Sequence, residues 1–234
     1  RSSDLLQLRF PIPGEVENYR RTLDLRTGIA TVRFRHNGVN HTREVFSSFP
    51  DQAIVLRIAA DQPGQVSFAA ALSSPIRSRV ESEGPVLRLT GRCPIHADPH
   101  YLGTRTLYDE GDSPKGMTFA AELRAVPEGG EVTVAEGRLS ATDCNAVTLV
   151  LVAATSFNGF DKSPSREGKD PLAACRGQGA VADTAYATLR RRHVADFGGL
   201  MDRVTLDLGT TAAARRPTDE RLRGGVRPED IPAL

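Results

Sequence analysis

The sequence predicts a mainly β protein of paired antiparallel sheets, and three observations lead to that class. Short runs of alternating apolar and polar residues recur from Leu5 to about Val152. Gly, Pro and Asp residues separate these runs, and a helical period emerges only after them. Many short strands with regular turns build antiparallel sheets, and this stretch lacks the strand, helix, strand order of a parallel one.

Taken in order, NYRRTLDLRTGIATVRF (18–34) reads as a strand, a turn at Thr27-Gly28 and a second strand. Alternation along its first half places Arg21 and Leu23 on one side and Arg20, Thr22 and Asp24 on the other, with an Arg20 to Asp24 pairing open. TGIATVRFRHNGVNHTREVFSS then alternates on both sides of Asn37-Gly38, a strong short-range hairpin signal. AIVLRIAADQPGQVSFAAAL repeats the plan with its turn at 61–64. VLRLTGR, MTFAAELRAV and GEVTVAEGRLSATD are further strands, and AVTLVLVAATSF is apolar enough for the centre of a sheet covered on both faces.

After Thr155 the texture changes. NGFDKSPSREGKDP (158–171) reads as a long polar loop with a kink at each proline. Ala182, Ala185, Tyr186, Leu189, His193 and Phe197 then recur at helical spacing, with Gly198-Gly199 as the stop. RVTLDLG reads as a last short strand, and the Gly- and Pro-containing tail as a linker. The expected organisation is a β-sandwich domain over 1–175, incomplete at its front, then a helical linker, short strand and tail over 176–234.

Thirty Lys and Arg residues balance 29 Asp and Glu, and their interspersion argues against a nucleic-acid partner, which needs clustered positive charge. The densest basic run, Arg190-Arg191-Arg192, reads better as a solvated helix face than as a phosphate site. No apolar run is long enough to span a bilayer. The chain opens on RSSDLL without a start methionine, so the lack of a signal-like segment says nothing of location. Cys93, Cys144 and Cys175 are too scattered for a disulfide framework, though a single bridge and buried free thiols both stay open.

Several clusters could carry chemistry. His96, Asp98 and His100 are a metal candidate by residue type, but Pro94 and Pro99 break the extended geometry that would align them, and no metal or other cofactor is expected. With Tyr101 they also suit a loop that touches a partner surface, or an ordinary turn. Asp109, Glu110 and Asp112 are carboxylates of the kind glycoside hydrolysis needs, yet they lie together in a Gly-containing loop and read as a solvated turn. Phe157, Asn158, Phe160 and Asp161 follow the most apolar strand. The rings could stack on a sugar while Asn158 and Asp161 pair its hydroxyls; the preferred alternative tucks both rings under the loop. The chain has no G-x-S-x-G elbow, dinucleotide fingerprint or complete P-loop.

An ordered series of residues points further. Tyr19, Arg20, Arg21, Leu23, Asp24 and Leu25, then Gly38, Val39, Arg43, Glu44, Phe46 and Ser48, then Pro50, Asp51 and Gln52 resemble the amino-terminal domain of glycoside hydrolase family 95, best known for α-L-fucosidases. Phe34 stands where that family often has tyrosine. The resemblance continues through AATSFNGF and HVADFGGLMDRVTLDLG to PTDERL. It implies an antiparallel super-β-sandwich with a carboxy-terminal helical linker, leading to an (α/α)6 barrel that holds the active site. It also implies an inverting enzyme with a glutamate acid and an asparagine-activated water, none of which falls in this chain. The family's usual opening segment, with its tryptophan, is missing as well, so the expectation is a fragment truncated at both ends. Expected partners are the absent barrel and the parent's oligosaccharide substrate, and the expected location is secreted or periplasmic. The alternatives are a carbohydrate-binding module using residues 157–161 and a purely structural, oligomerising β domain.

Overall fold

The computed structural model describes residues 6–99, 101, 103, 105–207, 209, 211 and 215–223. Its strands are β1 (Leu6–Arg9), β2 (Glu17–Asp24), β3 (Ile29–His36), β4 (Val39–Ser48), β5 (Ala53–Ala60), β6 (Val66–Leu72) and β7 (Ser78–Glu83). They continue as β8 (Val86–Arg92), β9 (His96–Ala97), β10 (Thr106–Leu107), β11 (Thr118–Glu128), β12 (Glu131–Ala135), β13 (Arg138–Cys144) and β14 (Ala146–Thr155). Helix α1 (Pro171–Gly179), a 3-10 turn at Ala180–Asp183, α2 (Tyr186–Met201) and α3 (Thr218–Arg223) follow.

Antiparallel pairing gives an eight-stranded sheet in the order β2-β3-β4-β5-β14-β11-β8-β7 and a four-stranded sheet in the order β1-β6-β13-β12. β9 and β10 form a small separate hairpin. The β3–β4 hairpin turns where its sequence says it should, because Asn37 and Gly38 both take positive φ, 49° and 80°, matching the twist of the flanking strands.

Strand alternation sorts side chains between the two faces of the large sheet. Leu87, Leu89, Leu123, Val147 and Leu149 point to one face and pack on Phe68, Ala70, Leu72 and Leu139 of the four-stranded sheet. Each fully buried leucine contributes roughly 1.5–3 kcal/mol of transfer free energy. Val55, Ala120, Val150 and Val152 point to the other face and pack on Cys175, Ala182 and Leu189 of the helical segment. β14 therefore feeds two cores, which accounts for its unbroken apolar run.

The expected loop ends where helix α1, not anticipated from the sequence, begins at Pro171. Pro171 suits a first helical turn, and the Asp170 side chain accepts from the Leu172 and Ala173 N–H groups, 2.8 and 3.2 Å, as an N-cap. The apolar stripe expected of one helix is shared between the 3-10 turn and α2, because the chain goes extended at Thr184. Gly198 and Gly199 do not stop α2, which runs on to Met201, and residues 203–207 form no strand. All three cysteines are free thiols.

The chain divides into two compact units that meet in sequence between Gly198 and Gly199. In the second, Arg203 Nε donates to the Gly199 carbonyl at 3.0 Å and Arg223 pairs with Asp219 at 3.1 Å across one turn of α3. Among the described residues, no helix is long and apolar enough to cross a membrane.

Candidate functional site

Four residues of the distinctive series, Glu44, Phe46, Ser48 and Asp51, are gathered along the seam between the end of β4 and α2. Tyr186 donates its hydroxyl to the Glu44 carboxylate, and Arg190 lies 3.8 Å from the same group. Burial first, then that hydrogen bond, pushes the Tyr186 pKa well above the ordinary phenol value. The Phe46 ring stacks on His193 with centroids 4.7 Å apart, and His193 Nε2 donates to the Thr27 carbonyl at 2.8 Å. Asp51 accepts from Ser48 Oγ at 2.7 Å and from Arg192 Nη1 at 2.9 Å. Gly28 has a φ of +64°, and a Cβ there would meet the Phe197 ring at 3.0 Å, so helix and turn approach as closely as glycine allows. Two of the three consecutive arginines thus dock α2 on the sheet, and only Arg191 fits the solvated-face expectation.

Strand directions bring the β2–β3 turn, the β4–β5 turn and the chain leaving β14 to one end of the large sheet. The segment that leaves β14 is pinned by polar bonds. Asn158 Nδ2 donates to the Glu167 carbonyl at 2.8 Å, Lys169 N to the Ser156 carbonyl at 3.1 Å, and Glu167 N to the Ser163 carbonyl at 2.8 Å. With that network in place the loop needs no aromatic anchors. Phe157 is 56% exposed and Phe160 99% exposed, the reverse of the preferred expectation that both tuck inward. Asp161 stands exposed beside Phe160, whereas the Asn158 amide is occupied within the loop.

The other candidates lie apart. His96 Nε2 is 2.8 Å from Asp98 Oδ1, and Asp98 Oδ2 accepts from Arg105 N at 3.1 Å, so this pair closes the β9–β10 hairpin. Tyr101 is exposed, and His100 lies outside the described residues. Asp109 accepts from the Lys115 and Gly111 N–H groups, which hold its pKa below the usual carboxylate value. Glu110 pairs with Arg77 at 2.5 Å. Asp109 is therefore not a carboxyl group kept protonated for acid catalysis.

The family model for the glycosyl hydrolase family 65 N-terminal domain matches residues 4–159. The chain belongs to that family. "Alpha-L-fucosidase 2" of Arabidopsis thaliana is 31% identical to the domain over 228 residues, covering 91% of this chain and 27% of that protein. "Probable alpha-fucosidase A" of Aspergillus oryzae is 26% identical over 88% of this chain and 28% of its own length, and its namesake from Aspergillus niger 27% identical over 92% and 26%. The domain spans about a quarter of the length of these relatives. The resemblance read from the sequence carried the family number 95 and the matching model carries 65; the amino-terminal domain of a glycoside hydrolase is common to both.

Sequence reading missed an exposed apolar strip of this glycosyl hydrolase domain. Register places Leu23, Ala30, Val45, Leu56 and Leu149 in one row of the large sheet, and Ser47, Ile54 and Leu151 in the next. Leu149 and Leu151 are covered by the four-stranded sheet, but Ile54 is 43% exposed and Leu23 61%. A four-stranded sheet cannot cover an eight-stranded one, so the row emerges from the core as it runs toward β2. The alternation that produces this strip is visible in the sequence, whereas the narrowness of the covering sheet is not.

Proposed function

We propose that this domain is the non-catalytic scaffold of an inverting glycoside hydrolase acting on α-L-fucosides or related α-linked sugars. The uncovered strip of Leu23, Val45 and Ile54 carries the reading. Contiguous exposed apolar surface on a folded domain marks an interaction site. Its proposed occupant is the remainder of the same polypeptide, the three quarters or so by which the fucosidase-named relatives exceed this chain. In this reading the catalytic carboxylates belong to a barrel beyond the domain, the parent's oligosaccharide is handled there, and the 157–161 loop and the His96, Asp98, His100, Tyr101 hairpin lie toward the substrate cleft or the domain junction. The enzyme would work outside the cytoplasm, secreted or periplasmic, where glycans are met.

Full exposure of Phe160 beside Asp161 favours a second reading, a carbohydrate-binding module. A ring face with an adjacent hydrogen-bonding group is what a sugar platform requires. The sparse aromatic content, with no tryptophan, weighs against it.

Hydrolysis of 2'-fucosyllactose and of an aryl α-L-fucoside by this chain, beside the full-length parent at equal concentration, separates these ideas. Activity in the parent alone is the expected result. Turnover by the purified chain itself would sink the scaffold reading and return attention to Asp109, Glu110, Asp112 and Asp161.

A further inference from the structure

A cavity of about 410 Å³ opens at the mouth of the sandwich, within the size range of small-molecule sites. The 10–13 segment, the β3–β4 hairpin, β4 and the β5–β6 turn enclose it, and buried Ile58 and Val66 contribute its apolar lining. Arg43 reaches it from β4. Its guanidinium lies 3.5 Å from the Phe10 ring centroid and 5.0 Å from that of Phe34, and Phe34 stacks on His41 at 4.9 Å. Among the described residues, Arg43 has no hydrogen-bond acceptor and no carboxylate partner. A half-buried guanidinium held over a ring, with its fork of donors unspent, is built to receive a planar anion.

The surrounding groups limit what that anion can be. Burial, then the Arg43 charge and His36, holds the His41 pKa below the ordinary imidazole value, so near neutral pH His41 adds no second fixed cation. Asp143, on the opposite wall, repels a bare multivalent anion but accepts hydrogen bonds from hydroxyls. Ser67 Oγ already accepts from Asp143 N at 3.0 Å, which leaves its own proton to donate. The exposed Asn37 and Gln65 amides line the rim with no partner among the described residues.

That rim is preformed. Asn40 binds the Asp61 carboxylate with its backbone and side-chain nitrogens at 2.9 and 2.6 Å, Gly64 N donates to Asn145 Oδ1 at 2.9 Å, and His36 Nε2 donates to the Pro13 carbonyl at 2.8 Å. One fixed cation, one carboxylate and several free amide and hydroxyl groups around an apolar floor match one ligand class.

We propose that this cavity binds a saccharide bearing a carboxylate, with Arg43 as its anchor and Asn37, Gln65, Ser67 and Asp143 pairing its hydroxyls. The site lies within this chain and is independent of where hydrolysis occurs, so its test reads binding and not turnover.

The 234-residue chain would be titrated with sodium galacturonate and sodium glucuronate, followed by calorimetry and by the His36 and His41 ring resonances. Galactose and glucose are the neutral controls and inorganic phosphate the free-anion control. The expected result is a saturable shift with at least one uronate, not with the neutral sugars or phosphate. Arg43→Met is expected to weaken it about ten- to hundredfold, the value of a charge-assisted hydrogen bond. Gln65→Ala, on an exposed turn, leaves the fold intact and is expected to weaken binding severalfold, so the proposal stays testable even if Arg43→Met fails to fold. No saturable shift with either uronate, equal binding of phosphate or of the neutral sugars, or unchanged affinity in Gln65→Ala and folded Arg43→Met, would overturn it.

Discussion

Asp51 shows how much one motif residue holds together. It sits in the tight β4–β5 turn, its carboxylate nearly removed from solvent, bonded to Ser48 from its own strand end and to Arg192 from α2. Removing it leaves the Ser48 hydroxyl unpaired and unties helix from sheet. Asp51→Ala is expected to lower stability by about 1.5–3 kcal/mol, the range for a hydrogen bond to a charged group. The check is a lower urea midpoint at an unchanged slope, since neither end state changes its exposed surface much. The Pro50-Asp51-Gln52 run was legible as part of a family pattern, but its task was not, because Arg192 lies 141 residues away in sequence. A separation of 142 residues hid the Tyr186 partner of Glu44 in the same way. The exposure of Phe157 and Phe160 was illegible for a different reason, since it depends on a loop network whose main acceptors are backbone carbonyls.

At the scale of elements, strand alternation put Arg88 and Glu122 on the face opposite Leu87, Leu89 and Leu123. On a two-layer sandwich that outer face would be wet. Helix α1 packs over β11 and β14 instead, and Glu122 becomes fully buried with Arg88 Nη2 at 2.7 Å and Arg88 Nε at 2.9 Å. Glu83 completes the arginine's coordination from β7, and Cys175 of α1 lies close enough for desolvation, reinforced by the Glu122 charge, to push its thiol to about 11. A buried ion pair adds little net stability but is costly to break one-sidedly. Arg88→Met is therefore expected to lose about 3–5 kcal/mol, while Arg88→Met combined with Glu122→Leu loses much less than the two single changes summed. A double-mutant cycle from denaturant melts reads this directly. Additive losses would mean that the pair is not coupled through the buried contact. Asp170 and Pro171, the cap and first turn of α1, were a start signal in plain view, and the polar texture of the preceding loop obscured it.

For the whole domain the dominant feature is the mismatch in sheet width. The four-stranded layer covers the half of the large sheet around β14 and leaves the β2 to β5 half with Leu23, Val45 and Ile54 in water. β2 is also an edge strand, and an exposed apolar edge invites association. The chain alone is expected to self-associate with rising concentration in sedimentation velocity, and Leu23→Lys with Ile54→Lys to suppress this. Leu23 is 61% and Ile54 43% exposed, so the free energy of unfolding should fall by only about 0.5–1 kcal/mol per site. A large loss of stability in that variant would instead make the strip part of the folded core and remove the observation behind the scaffold proposal.

The amino-acid sequence by itself determined the strands β2 to β6, β8 and β11 to β14, the Asn37-Gly38 hairpin, the doubly apolar character of β14 and the membership in a glycoside hydrolase amino-terminal family. These follow from period, turn chemistry and local residue order, which act over a few residues. Tertiary structure decided which alternating faces are covered, and so turned Arg88 and Glu122 inward, left Leu23 and Ile54 outward, docked two of three arginines on the sheet and set Arg43 unpaired above Phe10. Burial is a property of what packs against a face, and here the packing partners come from strands and helices tens to more than a hundred residues away, beyond the reach of any local pattern.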